Sequence, residues 1–159
     1  MRVREARGGD AHGIYVLACE LADAVGDSHP DEAAVEARLS DLLEVLPQAR
    51  VLVAEVDGEV LGVASAWIKP DLAHGDTVVE VPMLAVSGKA RRQGLGTRLM
   101  AEIRHIAADN GANQIELVAT HENSAAREFY RSVGFVETDI IALEFVGALR
   151  DPRTIEDDE

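Results

Sequence analysis

The stretch Ser87-Gly88-Lys89-Ala90-Arg91-Arg92-Gln93-Gly94-Leu95-Gly96-Thr97 decides how this chain reads. Before it lies an apolar run, Thr77 to Val86. After it come Leu95, Leu99, Ile103 and Ile106, spaced as one face of a helix. The stretch is therefore the loop between a strand and the start of a long helix. From Ser87 to Arg98 it carries four bases, Lys89, Arg91, Arg92 and Arg98, and no acid, inside a chain of formal net charge −14. A helix start offers N–H groups without intrahelical partners and the positive end of the helix dipole, which together suit phosphate. Gly94 and Gly96 have no β-carbon, so their amides can come close to a ligand. The loop reads as a cradle for a diphosphate.

Three phosphate-binding patterns compete for it. A P-loop needs Lys-Ser or Lys-Thr after its last glycine, and Leu95-Gly96-Thr97 offers neither. A dinucleotide-binding turn needs a third glycine where Leu99 stands. The third pattern, R-x-x-G-x-G, places an arginine ahead of the glycines and matches Arg91 to Gly96.

Working outward, 159 residues with 47% hydrophobic and 28% charged make one ordinary globular domain. Upstream, Val3–Ala6 reads as a short strand. Asp10 is the expected N-cap of a helix bearing Ile14, Leu17, Ala18, Leu21 and Val25 on one face. A second helix carries Val35, Leu39, Leu42, Leu43 and Leu46, and Pro47 ends it. Val51–Glu55 and Val60–Trp67 flank Asp57-Gly58, a strong hairpin signal. A polar loop, Lys69–Asp76, leads to the strand Thr77–Val86, whose Pro82 belongs at an edge or a bulge because it has no N–H for a ladder.

Downstream, the long helix runs from about Gly94 to Asn110, closed by Gly111. Gln114–Thr120 is a further strand, Asn123 caps a helix over Ser124–Val133, and Thr138–Phe145 is the last strand. Strand, helix and strand in succession from Thr77 to Thr120 form a crossover between parallel neighbours. The fold class is α/β with a mixed sheet and helices on both faces. Residues 1–147 form the domain, and 148–159 read as an acidic tail, with five acids and one base in the last nine residues.

Composition excludes several functions. The acidic balance opposes sequence-independent nucleic-acid binding and docking on anionic membranes. One cysteine, Cys19, rules out an internal disulfide framework, and in its helical setting it reads as a small semi-buried residue. His12, His29, His74, His105 and His121 show no metal-ligand spacing with one another, so no metal is expected. No apolar stretch follows the arginines of MRVREARGGD, so no secretory signal is read there and a cytoplasmic setting is expected.

A second block completes the pattern. Asn123-Ser124-Ala125-Ala126-Arg127-Glu128-Phe129-Tyr130-Arg131-Ser132-Val133-Gly134-Phe135 has the form N-x-x-A-x-x-F-Y-x-x-x-G-F. With Arg91 to Gly96, in that order and separated by a helix and a strand, it resembles the GNAT superfamily of acetyl-CoA-dependent N-acetyltransferases over roughly Val51–Phe145. The resemblance implies a central mixed sheet of about six or seven strands with a splayed parallel pair holding the acyl-CoA. It places the acetyl-CoA pyrophosphate on backbone amides from Arg92 or Gln93 through Gly94, Leu95, Gly96 and Thr97, with the Arg91 side chain close by. The pantetheine arm would lie along the backbone of Leu84, Ala85 and Val86. Asn123 is an N-cap by its residue type, with a contact to CoA left open.

The implied reaction is direct acetyl transfer from acetyl-CoA to a primary amine, without a covalent enzyme intermediate. Tyr130 is the candidate acid for the departing thiolate, against a plain packing role beside Phe129 and Phe135. Glu80 is a candidate base, against a solvated charge on an alternating strand, and ordered water is the other route for the proton. His121 is either a loop residue or part of the acceptor site. Backbone N–H groups near Val86 would stabilise charge on the acetyl oxygen. The acceptor is a small-molecule or protein amine, and homodimerisation is an expectation of the resemblance. A non-catalytic acyl-CoA-binding module of the same fold is the alternative.

Overall fold

Both residues of the Asp57-Gly58 pair have positive φ, 51° and 82°, which matches a turn to the natural twist of its two strands. In the computed structural model, which describes residues 1–147 and 149, this turn joins β2 (Ala49–Val56) to β3 (Glu59–Asp71). β1 (Arg2–Glu5) pairs antiparallel with the other edge of β2, and β4 (Asp76–Val86) pairs antiparallel with β3. β5 (Gln114–Glu116) runs parallel to β4, so the sheet order is β1-β2-β3-β4-β5. Half of the polar segment expected as a loop is ladder, because Lys69, Pro70 and Asp71 pair with Val78, Thr77 and Asp76. Backbone pairing needs no buried side chains, so a hairpin end can be polar.

Alternation along β2 divides the interior into two cores. Leu52 and Ala54 pack with Leu95, Leu99, Met100 and Ile103 of α3 (Leu95–Asp109). Val51 and Val53 pack on the other face with Ile14 and Leu17 of α1 (Ala11–Val25) and Leu39 of α2 (Glu32–Glu44). Phe129 of α4 (Ser124–Ser132) and the following Val133 and Phe135 lie against the α3 core. Helices thus cover both faces. Asp10 stands at the N-cap position of α1, as expected, but its side chain makes no cap hydrogen bond. Its carboxylate takes two hydrogen bonds from the Arg4 guanidinium at 2.8 and 2.9 Å and one from the Arg7 N–H at 2.7 Å. A bidentate charge-assisted pair outcompetes a cap bond.

Among the described residues the sheet has five strands rather than six or seven. Only Gln114–Glu116 of the expected strand Gln114–Thr120 is paired. The physical reason is in β4. Ser65 pairs with Met83 while Trp67 pairs with Glu80, so β4 carries an extra residue around Val81-Pro82. The parallel register stops at Glu80 opposite Glu116, just before proline removes a donor from the ladder. β4 and β5 therefore part where the bulge begins. Thr138–Phe145 is not a strand, and its Ile140, Ile141, Leu143 and Phe145 are exposed. A strand needs a neighbour's backbone, and the β5 ladder that would offer one ends at Glu116. The acidic tail, apart from Leu149, lies outside the described residues.

Candidate active site

The loop before α3 is built from two residues in the left-handed region, Arg92 at φ 64° and Gly94 at φ 79°. For an arginine that conformation costs about 1–3 kcal/mol, a strain typical of ligand clamps. Gly94 is the N-cap of α3 and supplies no side-chain cap. The Arg98 N–H closes the first helical turn on the Gly94 carbonyl at 3.0 Å, so the amides of Leu95, Gly96 and Thr97 are the ones at the open helix end. Lys89 is drawn to Glu59 at 3.3 Å, whereas no carboxylate among the described residues pairs with Arg91, Arg92 or Arg98. Arg91, Arg92 and the residues of the open helix end border one cleft.

The cleft has a volume of about 610 Å³. Leu84, Ala85 and Val86 line it, as do Arg91, Arg92, Gly94, Leu95, Gly96, Thr97, Asn123 and Tyr130. Of the residues expected at the cofactor site only Gln93 does not line it; its side chain is exposed. The two glycines serve different purposes. A Cβ at Gly94 would meet nothing within 4 Å, so its backbone dihedral is the requirement. A Cβ at Gly96 would lie 3.0 Å from Cζ and 3.2 Å from Cε2 of Phe129. Gly96 thus also lets α4 close against the start of α3.

Asn123 caps α4, its Oδ1 accepting from the Ala126 N–H at 3.2 Å. The cap places Phe129 and Tyr130 at the cleft wall. Tyr130 packs edge-on against Phe129 at 5.4 Å and Phe135 at 5.7 Å between ring centroids. Its hydroxyl has no hydrogen-bond partner among the described residues, and burial pushes the phenol above its ordinary value. Tyr130 also lines a second cleft, of about 720 Å³, on the β5 side. Glu80, Pro82, Leu117 and His121 border this second cleft.

Glu80 is therefore separated from the cradle and not free. Its Oε2 lies 2.9 Å from Lys69 Nζ, which also lies 2.9 Å from Glu116 Oε1. The hydrogen bond to Glu80 first, and that to Glu116 second, hold the Lys69 ammonium above its ordinary value. One cation thus bridges β3, β4 and β5 and allows two carboxylates to stand side by side at the point of the splay. Val79 and Val81 belong to the α3 core, so alternation turns Glu80 to the opposite face. Sequence reasoning missed Leu17, Glu20, Leu21 and Ala24 of α1, which complete the first cleft. Glu20 had a signal: it is an acid within the apolar face of that helix.

The model of the acetyltransferase (GNAT) family matches residues 14–135. The chain belongs to the GNAT acetyltransferase family. It is similar to the N-acetyltransferase YhfO of Bacillus subtilis (strain 168), 29% identical over 140 residues, spanning 86% of this chain and 91% of that protein. It is also similar to the aminoalkylphosphonate N-acetyltransferase of Salmonella typhimurium, 28% identical over 136 residues, with 86% and 85% of the two chains covered. An aminoglycoside N-acetyltransferase solved in complex with CoA shares the fold at TM-score 0.78 and 21% identity, covering 91% of this chain and 93% of that one. As a GNAT protein the chain is an acetyl-CoA-dependent N-acetyltransferase.

Among the described residues, no group of three or more His, Cys, Asp or Glu is arranged to hold a metal ion. None of their helices is long and apolar enough to cross a membrane. Arg91→Ala is expected to weaken CoA binding by about 1.5–3 kcal/mol, the range for a charge-assisted hydrogen bond. Isothermal titration against CoA and against a pantetheine fragment checks this. The loss disappears for the fragment if the guanidinium acts on the diphosphate, and an equal loss for both makes it structural.

Proposed function

We propose that the first cleft holds acetyl-CoA in one orientation and that the second admits the amine. The diphosphate rests on the amides of Leu95, Gly96 and Thr97, with those of Arg92, Gln93 and Gly94 leading into them and Arg91 and Arg92 adding charge. The pantetheine arm lies along Leu84, Ala85 and Val86 and takes up backbone groups that β5 leaves unpaired once it has diverged. Asn123 borders the arm. The bound cosubstrate supplies an acetyl thioester, and everything else is the work of this chain's residues.

The observation that carries the proposal is the position of Tyr130, which borders both clefts beside the splay. A nucleophile entering from the second cleft meets a thioester in the first at that junction. A lysine-type amine has pKa ~10.4, so roughly one molecule in 2,500 is unprotonated at neutral pH. Proton removal therefore has to be assisted. Glu80 borders the cleft through which the amine enters. Glu80 receives the proton through water in that cleft. Backbone N–H groups beside Val86 hold the charge that develops on the acetyl oxygen, and the Tyr130 hydroxyl donates a proton to the departing sulfur.

The acceptor is a small primary amine. The second cleft falls within the ~300–1,000 Å³ range of small-molecule sites. The names of two relatives point the same way, one acting on aminoalkylphosphonates and another, from Bos taurus, on thialysine. The test is CoA-thiol release from acetyl-CoA across a panel of aminoalkylphosphonates, lysine-like diamines, aminoglycosides and peptide N-termini. Saturable release with a small amine is the expected result. A panel in which only peptides respond would overturn the assignment of acceptor size.

A further inference from the structure

We infer that Glu20 is a positioning residue whose carboxylate pins the diphosphate-binding loop to α1. It shares a helix face with Leu17, Leu21 and Ala24, all bordering the first cleft. Its Oε1 accepts a hydrogen bond from the Ser87 hydroxyl at 3.1 Å, and its Oε2 accepts from the Gly88 N–H at 3.1 Å. Ser87 is only 2% exposed, and its Oγ accepts in turn from the Lys89 N–H at 3.3 Å. The chain Glu20, Ser87, Lys89 fixes the loop at its upstream end, while α3 fixes it downstream. Between these anchors lies Arg92 in its strained conformation, and strain of that kind persists only where its surroundings over-determine it.

Charge makes the case sharper. Among the described residues Glu20 is the one acid bordering the first cleft, which otherwise presents Arg91 and Arg92. A carboxylate beside a diphosphate site is repelled by the ligand, so its charge is a cost there and its hydrogen bonds are the gain. Because both oxygens already accept bonds from the loop, Glu20 serves as an anchor rather than a hook for the acceptor's ammonium. The geometry of the cradle thus depends on a helix 67 residues upstream.

This inference rests on the acetyl-CoA reading of the cleft, and calorimetry of CoA binding by the full-length protein tests the two separately. Glu20→Ala is expected to weaken CoA about tenfold, the weight of one or two hydrogen bonds to a charged group. Glu20→Gln keeps an acceptor for the Gly88 N–H and removes the repulsion, so its affinity is expected within about twofold of wild type or tighter. Pantetheine, which lacks the diphosphate, is expected to bind all three proteins alike. Wild-type affinity in Glu20→Ala would overturn the inference, and so would an equal loss in Glu20→Gln. A wild-type protein that does not bind CoA would overturn the reading of the cleft itself, and this inference with it.

Discussion

Tyr130→Phe is expected to slow acetyl transfer in single-turnover experiments by about 10²–10⁴-fold, the usual weight of a positioned general acid. Phenylalanine keeps the ring, so the edge-on contacts to Phe129 and Phe135 survive, and one hydroxyl is deleted. That hydroxyl makes no hydrogen bond among the described residues, so its loss leaves no orphaned partner in the core. Affinity for acetyl-CoA and the melting temperature are expected to stay close to wild type, because the proton is needed only as negative charge develops on sulfur. Burial raises the phenol's pKa, so the donating form is present throughout the neutral range and is lost only above the ordinary phenol value of ~10. The rate of the wild type should therefore not fall between pH 7 and 9 through Tyr130, while Tyr130→Phe loses its rate across that whole window. A thiol of pKa ~8.5, as in cysteine, is already a fair leaving group, which sets the expectation toward the lower end of the range. An unchanged single-turnover rate would assign Tyr130 to packing alone.

The second large effect is expected from Gly96→Asp, where CoA binding should fall by about 100-fold or more through two additive causes. The new carboxylate repels a diphosphate held on adjacent amides. The new Cβ also lies 3.0 Å from the Phe129 ring, so α4 must yield and Tyr130 moves with it. Gly96→Ala separates the two, since it adds the Cβ without the charge. Calorimetry with CoA and thermal melting of both variants provide the measurement. Gly96→Ala should lower the melting temperature about as much as Gly96→Asp while keeping more of the affinity. Identical affinities for the two variants would show that the site fails through α4 alone. Near-normal affinity in Gly96→Asp would remove the cradle from this loop.

Much of this architecture is local and so is written in short stretches of chain. The Asp57-Gly58 turn, the one-sided apolar spacing of α1 and α3 and the Asn123 cap each depend on residues a few positions apart, and the structure shows them where the pattern puts them. The same holds for the basic loop before α3, since helix polarity and glycine dihedrals act within one turn. Pro82 was legible as an edge or bulge position because a missing N–H is a property of one residue. The fate of Thr138–Phe145 was not, because an apolar run does not supply the neighbouring strand it would pair with. The missing cap bond of Asp10 has a related reason: Arg4 of β1 takes the same carboxylate.

The sequence by itself determined which family this chain belongs to, which residue types stand in the loop before α3 and where the helices lie, because all of these follow from residues close together in the chain. Tertiary structure alone decided what those residues touch. It brought Glu20 to Ser87 and Gly88 across 67 and 68 positions, and Lys69 to Glu80 and Glu116 across three strands. It also set Gly96, which lines the cleft, against the Phe129 ring. Contacts of this kind depend on how elements pack at ångström distances, and periodicity along a chain carries a direction for each side chain but no partner.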